Sequence, residues 1–342
     1  MKATILTSIA GALLLILGGC ISQPAIISAT GSAYEVVVTA SKTLWNNEAG
    51  EKIKEELTAP IPGLPQMESA MKVIYCTPGE FDGIMRYVRN ILTVSVDPSQ
   101  YSKVTLNSER NRWAQGQVIV NITAPDESSL IKFLNENRGI LVDFYTKIEM
   151  RRMAEFLQSS YSKFVMNSVT SKFDIRLNAP SDIVSFGVSK DTTTFFWATN
   201  NTRAGRTDIV VYSFPYTDAN TFTREYLLAK RDSILGANIP GAHPNTHMAT
   251  NAMTATYNST TLFGKYCGVL RGLWEMTNPD MMGGPFVSFA RLDEANNRVI
   301  VAEGFVYSPD TDKKLYIRRL EAALHTLRLP GEFDMTLDGE VL

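Results

Sequence analysis

Four charged residues lie inside segments whose apolar alternation predicts β-strand. They are Arg271 and Glu275 within Tyr266–Met276, Arg291 within Phe286–Asp293, and Glu303 within Val299–Tyr307. A charge taken out of water is costly unless an opposite charge and hydrogen bonds replace the lost solvation, so such residues either pair with one another or mark a site. With Trp274 on the same strand, Arg271, Trp274, Glu275, Arg291 and Glu303 form the candidate ligand-binding set. Catalysis is the second use of the same charges. Two carboxyl groups about 5–9.5 Å apart in an open cleft hydrolyse glycosidic bonds, and Glu275 with Glu303 is the pair expected in an envelope glycan or lipid hydrolase. Gly268 and Gly272 leave bare backbone between Tyr266, Leu270 and Trp274, which suits either a closely packed helix or a ligand groove.

Other chemistry is sparse. No G-x-S-x-G elbow, G-x4-G-K-[ST] loop, C-x-x-C pair or H-E-x-x-H helix occurs. His243 and His247 are four apart, the spacing that puts two imidazoles on one helical face, but Pro240, Gly241 and Pro244 forbid a regular helix there and no acidic residue is near in sequence. No metal and no cofactor is therefore expected. His325, beside Leu324 and Leu327, reads as a packing or surface residue. Cys76 and Cys267 each lie in an apolar strand-like run, where a disulfide between them or two buried free thiols are the alternatives. Asp191-Thr192-Thr193 and Asp232-Ser233-Ile234 fit a short acceptor pattern that places O-glycosylation at Thr192 and Ser233.

The elements that must position these residues fall into two groups. Before residue 170 the pattern gives a strand at Tyr34–Thr39 and a helix capped by Asn46-Asn47. A strand at Met71–Cys76, another at Ile91–Val96 and a hairpin of Val104–Ser108 with Gln117–Ile122 follow. A helix opens at Pro125-Asp126. Leu141, Phe144, Ile148, Phe156, Tyr161 and Phe164 then recur at helical spacing as one longer helix, whose Lys147, Arg151, Arg152 and Lys163 face is read as solvated or as an interaction surface. After Phe173 short alternating segments predominate, with a helix at Thr221–Leu235 and a last one at Lys313–Leu327. The charges Arg224, Glu225, Lys230, Arg231 and Asp232 on the first of these read as a solvated face. This order predicts an α+β protein of two domains, the second an antiparallel sheet covered by helices. The expected divisions are 1–19 leader, 20–33 tether, 34–170 and 171–330 domains, and 331–342 tail.

The leader carries the location. Lys2 precedes an apolar stretch from Ile5 to Leu17, too short to span a bilayer and followed at once by Ser22, Gln23 and Pro24. Leu17-Gly18-Gly19-Cys20 resembles the lipobox of bacterial lipoproteins. That resemblance implies cleavage before Cys20, a diacylglycerol on its thiol, and acylation of the new amine with a fatty acid such as palmitate. Ile21 rather than Asp after the cysteine implies an outer-membrane lipoprotein, on its periplasmic or its surface side. With 33 Lys+Arg against 35 Asp+Glu, the net charge of −2 offers no basic excess for nucleic acid.

The stretches Leu44-Trp-Asn46, Pro62-Gly-Leu-Pro-Gln66, Tyr212-Ser-Phe-Pro-Tyr-Thr-Asp218, Arg271-Gly-Leu-Trp-Glu-Met276, Gly283-Gly-Pro-Phe-Val-Ser288 and Val301-Ala-Glu-Gly-Phe-Val-Tyr307 resemble an uncharacterised Bacteroidota lipoprotein family, domain of unknown function 4837. The resemblance runs from about Tyr34 to Pro330. It implies a lipid-anchored envelope protein and no catalytic residue. The second half also loosely resembles the sheet-and-two-helix plan of the Mog1/PsbP-like fold. Together these readings predict a non-catalytic binding or assembly module, held to the membrane through its N-terminal lipid, with an envelope protein or small ligand as partner.

Overall fold

The computed structural model describes residues 27–191, 193–202 and 205–337. The expected leader, Cys20 and Thr192 lie outside the described residues, as does the chain after 337.

In the first half β1 (Glu35–Thr39), α1 (Lys42–Trp45), α2 (Glu48–Leu57), β2 (Lys72–Cys76), β3 (Asn90–Val96), β4 (Thr105–Arg110), β5 (Val118–Ala124), α3 (Glu127–Glu136) and α4 (Ile140–Ser159) build a five-stranded sheet with helical cover, in the order β2-β1-β3-β5-β4. Every pairing is parallel except the β4–β5 hairpin. Helix α2 crosses from β1 to its parallel neighbour β2, so this half contains a βαβ unit. It starts where expected, because the Asn47 side chain accepts from the backbone amides of Ala49 and Gly50. Val36, Val38, Leu92 and Val120 of the sheet share one core with Ile53, Leu57, Leu130 and Tyr145 of the helices.

The long helix expected through Phe164 is two helices. It stops at Ser159, and Ser162 caps a new one, α5 (Lys163–Phe173), by accepting from Val165 N at 3.2 Å. A single apolar stripe was the wrong description of α4 because it is buried on two sides. Leu141 and Tyr145 face the first core, Met150 and Leu157 face the second half, and Phe156 is exposed.

The second sheet is antiparallel throughout. Strands β6 (Ser185–Phe186), β7 (Phe195–Thr202) and β8 (Gly205–Pro215) precede α6 (Arg224–Asn238). Then come β9 (Met248–Leu262), β10 (Lys265–Met276), β11 (Gly283–Asp293), β12 (Arg298–Tyr307) and α7 (Lys314–Leu324). The order is β6-β7-β8-β12-β11-β10-β9. One face packs Val269, Phe289, Ile300 and Ala302 under α5 and α7, and the other packs Trp274, Phe286, Val301 and Phe305 under α6. The chain changes cores between α4 and α5, since Val165, Val169 and Phe173 of α5 lie in the second.

The halves meet at several places. Met150 and Leu157 of α4 pack on Ala322 and Ala323 of α7, and Arg318 lies over the Tyr34 ring. The segment around the Pro62–Gln66 motif adds hydrogen bonds. The buried Glu68 carboxylate accepts from Lys313 N and Lys314 N, both at 2.8 Å, and so caps the α7 N-terminus with a charge of the sign its dipole favours. Gln66 and the Ser69 carbonyl accept from the ammonium groups of Lys313 and Lys314. At the other ends the expected tether and tail are partly built in. Ala29 and Thr30 bond to Gln115 and Tyr87, and Glu332 is buried against Arg291. Among the described residues no helix is long and apolar enough to cross a membrane.

Candidate functional site

The five candidate residues do not converge. Arg271 and Arg291 lie on the face covered by α7, Trp274 and Glu303 lie under α6, and Glu275 is exposed near the end of β10. A pleated strand sends neighbouring side chains to opposite faces, and the sheet therefore separates Glu275 from Glu303. Those two cannot flank one bond.

Glu303 has its partner on α6. The Arg231 guanidinium, fully buried, grips it through Nε at 2.9 Å and Nη2 at 2.7 Å, gives Nη1 to Thr250, and lies 3.8 Å over the Phe286 ring. Burial raises the Glu303 pKa, against the pull of Arg231. Reading every charge of this helix as solvated therefore fails at Arg231, the one that turns inward. Trp274 fills the same core, donating to the Val306 carbonyl at 3.1 Å. Arg291 donates to both oxygens of Glu332 at 2.8 Å and to the carbonyls of Leu327 and Leu262, which pins the chain after α7 against the sheet.

Arg271 differs because it retains access to solvent. It pairs with Glu321 of α7, which also accepts from Arg318 at 3.3 Å. Burial alone would raise the Glu321 pKa, but the two guanidinium charges outweigh it and hold the carboxyl at about 2. A cavity of about 200 Å³ opens beside them. The Ile61–Leu64 segment, Thr256 and Asn258 of β9, and Arg318 of α7 share its wall with Arg271 and Glu321. Gly63 reaches this position in the left-handed conformation, φ +80°, and a Cβ there would stand 3.7 Å from the backbone nitrogen of Gly272. The other face of the bare backbone is covered: a Cβ on Gly272 would meet Ala255 and Phe286, and one on Gly268 would come within 2.8 Å of the Tyr257 hydroxyl. The Ala255 backbone and the Phe286 and Tyr257 side chains fill the space over these two glycines, so no ligand groove opens there.

The histidines gain a partner invisible in the local sequence. Asp280, in the loop after β10, receives His243 Nδ1 and Thr246 Oγ1, both at 2.5 Å, and the Ala242 amide at 2.7 Å. Hydrogen bonds from Thr246 and His243 bring the Asp280 pKa down to about 2. His247 makes its own contacts, and no cluster of three metal-ligating side chains occurs among the described residues. His325 is buried edge-on against Phe289. Cys76 and Cys267 are free and buried, each in a different sheet. Ser233 is exposed on α6.

Sequence reasoning passed over one further feature. An apolar groove of about 530 Å³ lies between α5 and the β6–β7 edge, with Phe186 and Val188 largely exposed. The run Ile183–Val188 reads as an ordinary strand, and only its failure to pair beyond two residues leaves those side chains uncovered.

Residues 162–326 match the family described as Domain of unknown function (DUF4837), and residues 29–158 match the one described as Domain of unknown function (DUF8532). The resemblance to the first family, expected from Tyr34 onward, is thus confined to the second half. No curated protein matches the chain. A crystal structure from Bacteroides thetaiotaomicron is 14% identical over 46% of this chain, with a TM-score of 0.20, and the chain spans 46% of that protein's length. These findings give the Mog1/PsbP-like plan no support. The second half of the chain is thus similar to the DUF4837 family and the first half to the DUF8532 family.

Proposed function

We propose that the chain is a lipid-anchored envelope protein that works by binding, with the cavity at Arg271 as its binding site. One observation carries the choice of site. Of the charged residues set into the second sheet, Glu303 and Arg291 are fully buried in ion pairs, whereas Arg271 keeps 28% of its side chain accessible and lines a cavity. That cavity presents guanidinium and carboxylate groups together, with the amide of Asn258 beside them. Such a lining suits a small zwitterion, whose carboxylate meets arginine and whose ammonium meets Glu321. A volume of about 200 Å³ fits an amino acid or dipeptide better than the 300–1,000 Å³ typical of larger ligands. The anchor follows from the lipobox resemblance at Cys20.

Differential scanning fluorimetry with a panel of L- and D-amino acids and dipeptides tests the site. A ligand at about 100 times its Kd adds about 2.7 kcal/mol to stability, a shift of several degrees. The expected shift disappears in Asn258→Leu, which narrows the mouth without touching an ion pair. A panel in which no compound raises the melting temperature contradicts the reading.

A further inference from the structure

The N-terminal segment enters the fold beside a basic pocket. Gln115 N donates to the Ile27 carbonyl at 2.8 Å, Ala29 N donates to the Gln115 carbonyl, and Thr30 N donates to the Tyr87 carbonyl. Gln115 also lines a pocket of about 270 Å³, together with Arg110, Asn111, Arg151, Arg152 and Glu155. Arg152 is committed to Glu149, Asn90 and the carbonyls of Arg89 and Gly116. Arg151 meets Glu155 at the surface. Arg110 is exposed, and among the described residues it has no carboxylate within ion-pair distance. Positive charge therefore exceeds negative here, in a chain whose net charge is −2.

Apolar side chains flank the basic ones. Ile84 is 77% exposed and Ile27 55%, and Trp113 carries the Arg112 guanidinium 4.7 Å from its ring centre. The loops holding them are joined by Gln117, which donates to the carbonyls of Arg86 and Val88. Arg86 is exposed as well; Glu109, paired with Arg112, and the exposed Asp82 are the acidic neighbours. Exposed isoleucines, a tryptophan and arginines at one end of a protein match the layering of a bilayer surface, apolar below and anionic at the headgroups.

We propose that this end of the molecule rests on the lipid surface and that the Arg110–Arg151 pocket takes the phosphate of an anionic phospholipid headgroup. The proposal rests on the reading of Cys20 as the lipid attachment point. Six residues lie between Cys20 and Ile27, and the seven steps from one to the other reach at most about 24 Å, which keeps the pocket close to the bilayer. Anchoring alone holds the protein at the membrane; the pocket sets which side of it faces the lipid.

The test uses the chain from Ile21 onward, which keeps every described residue and carries no lipid. It is mixed with vesicles of phosphatidylcholine alone, or of phosphatidylcholine and phosphatidylglycerol in equal parts, and bound protein is measured by co-sedimentation. Binding is expected only to the anionic vesicles, and each arginine near the surface accounts for about fivefold in affinity, so Arg110→Gln/Arg151→Gln weakens it by about 25-fold with an unchanged melting temperature. Lys132→Gln, at an exposed position on α3, leaves it unaltered. Equal binding to both vesicles, or a double variant that binds like the parent, overturns the proposal. Palmitate labelling of the natural protein reads the anchor separately. Label that is absent, or that survives Cys20→Ser, overturns the anchor. Label at Cys20 together with headgroup-blind binding overturns only the docking.

Discussion

Mild acid should destabilise this protein through one side chain, His325. Burial lowers its pKa from 6.5 to about 4; Glu321 pulls the other way and the Arg271 charge adds to the lowering. The unfolded chain takes up a proton near pH 6.5 while the folded chain holds the imidazole neutral. Stability is therefore fully present above pH 6.5 and falls as the pH drops through this window, levelling out below about 4. One pKa unit corresponds to about 1.4 kcal/mol, so the loss reaches about 2 kcal/mol at pH 5 and about 3 kcal/mol at its limit. Glu321 acts in the same direction but lower, between its ordinary 4.5 and about 2; the raised carboxyl of Glu303 acts the other way, is common to parent and variant, and cancels in their difference. The assay is urea unfolding near neutral pH and near pH 5, on the parent and on His325→Leu, which keeps an apolar contact with Phe289. Between the two conditions the parent should lose about 2 kcal/mol more than the variant. Equal losses in the two proteins would refute the reasoning.

Breaking the buried Arg231–Glu303 pair on one side with Glu303→Gln should cost about 3–5 kcal/mol in chemical denaturation, whereas Arg231→Met/Glu303→Leu should be markedly less harmful than the single change. Glu68→Ala should cost about 1 kcal/mol and speed hydrogen exchange in the first turn of α7, because the helix loses its cap from the other half of the chain. Cys267, whose thiol is pushed up to about 12 chiefly by burial, should resist iodoacetamide in the native state and react on unfolding, with no crosslink to Cys76. Non-reducing peptide mapping checks the last point.

What the residues reveal on their own is the local part of this structure. The strands of the second sheet and helices α6 and α7 are legible because their apolar periodicity and turn residues are set within a dozen positions. The first half is less so, because α4 is buried on two sides and its pattern merges with that of α5. The charged contacts are the least readable. Glu303 is 72 positions from Arg231, Asp280 is 37 from His243, and Glu68 is 245 from Lys313. Nothing in local hydropathy separates the fully buried Arg231 from the half-buried Lys230 beside it. The set Arg271, Trp274, Glu275, Arg291 and Glu303 marks real features of the sheet, yet alternation along the strands splits it between two faces and leaves one member, Arg271, at a cavity. Thr192 and Cys20 lie outside the described residues, and the lipobox is legible only as a sequence pattern.

Native mass spectrometry of the protein purified from the cells that make it, followed by denaturing analysis of the same sample, tests binding at Arg271 most directly. A small non-covalent adduct is predicted on the parent, lost in Asn258→Leu and released on unfolding, over a covalent lipid mass that both proteins share. Identical native masses in parent and variant would contradict a binding site at this cavity.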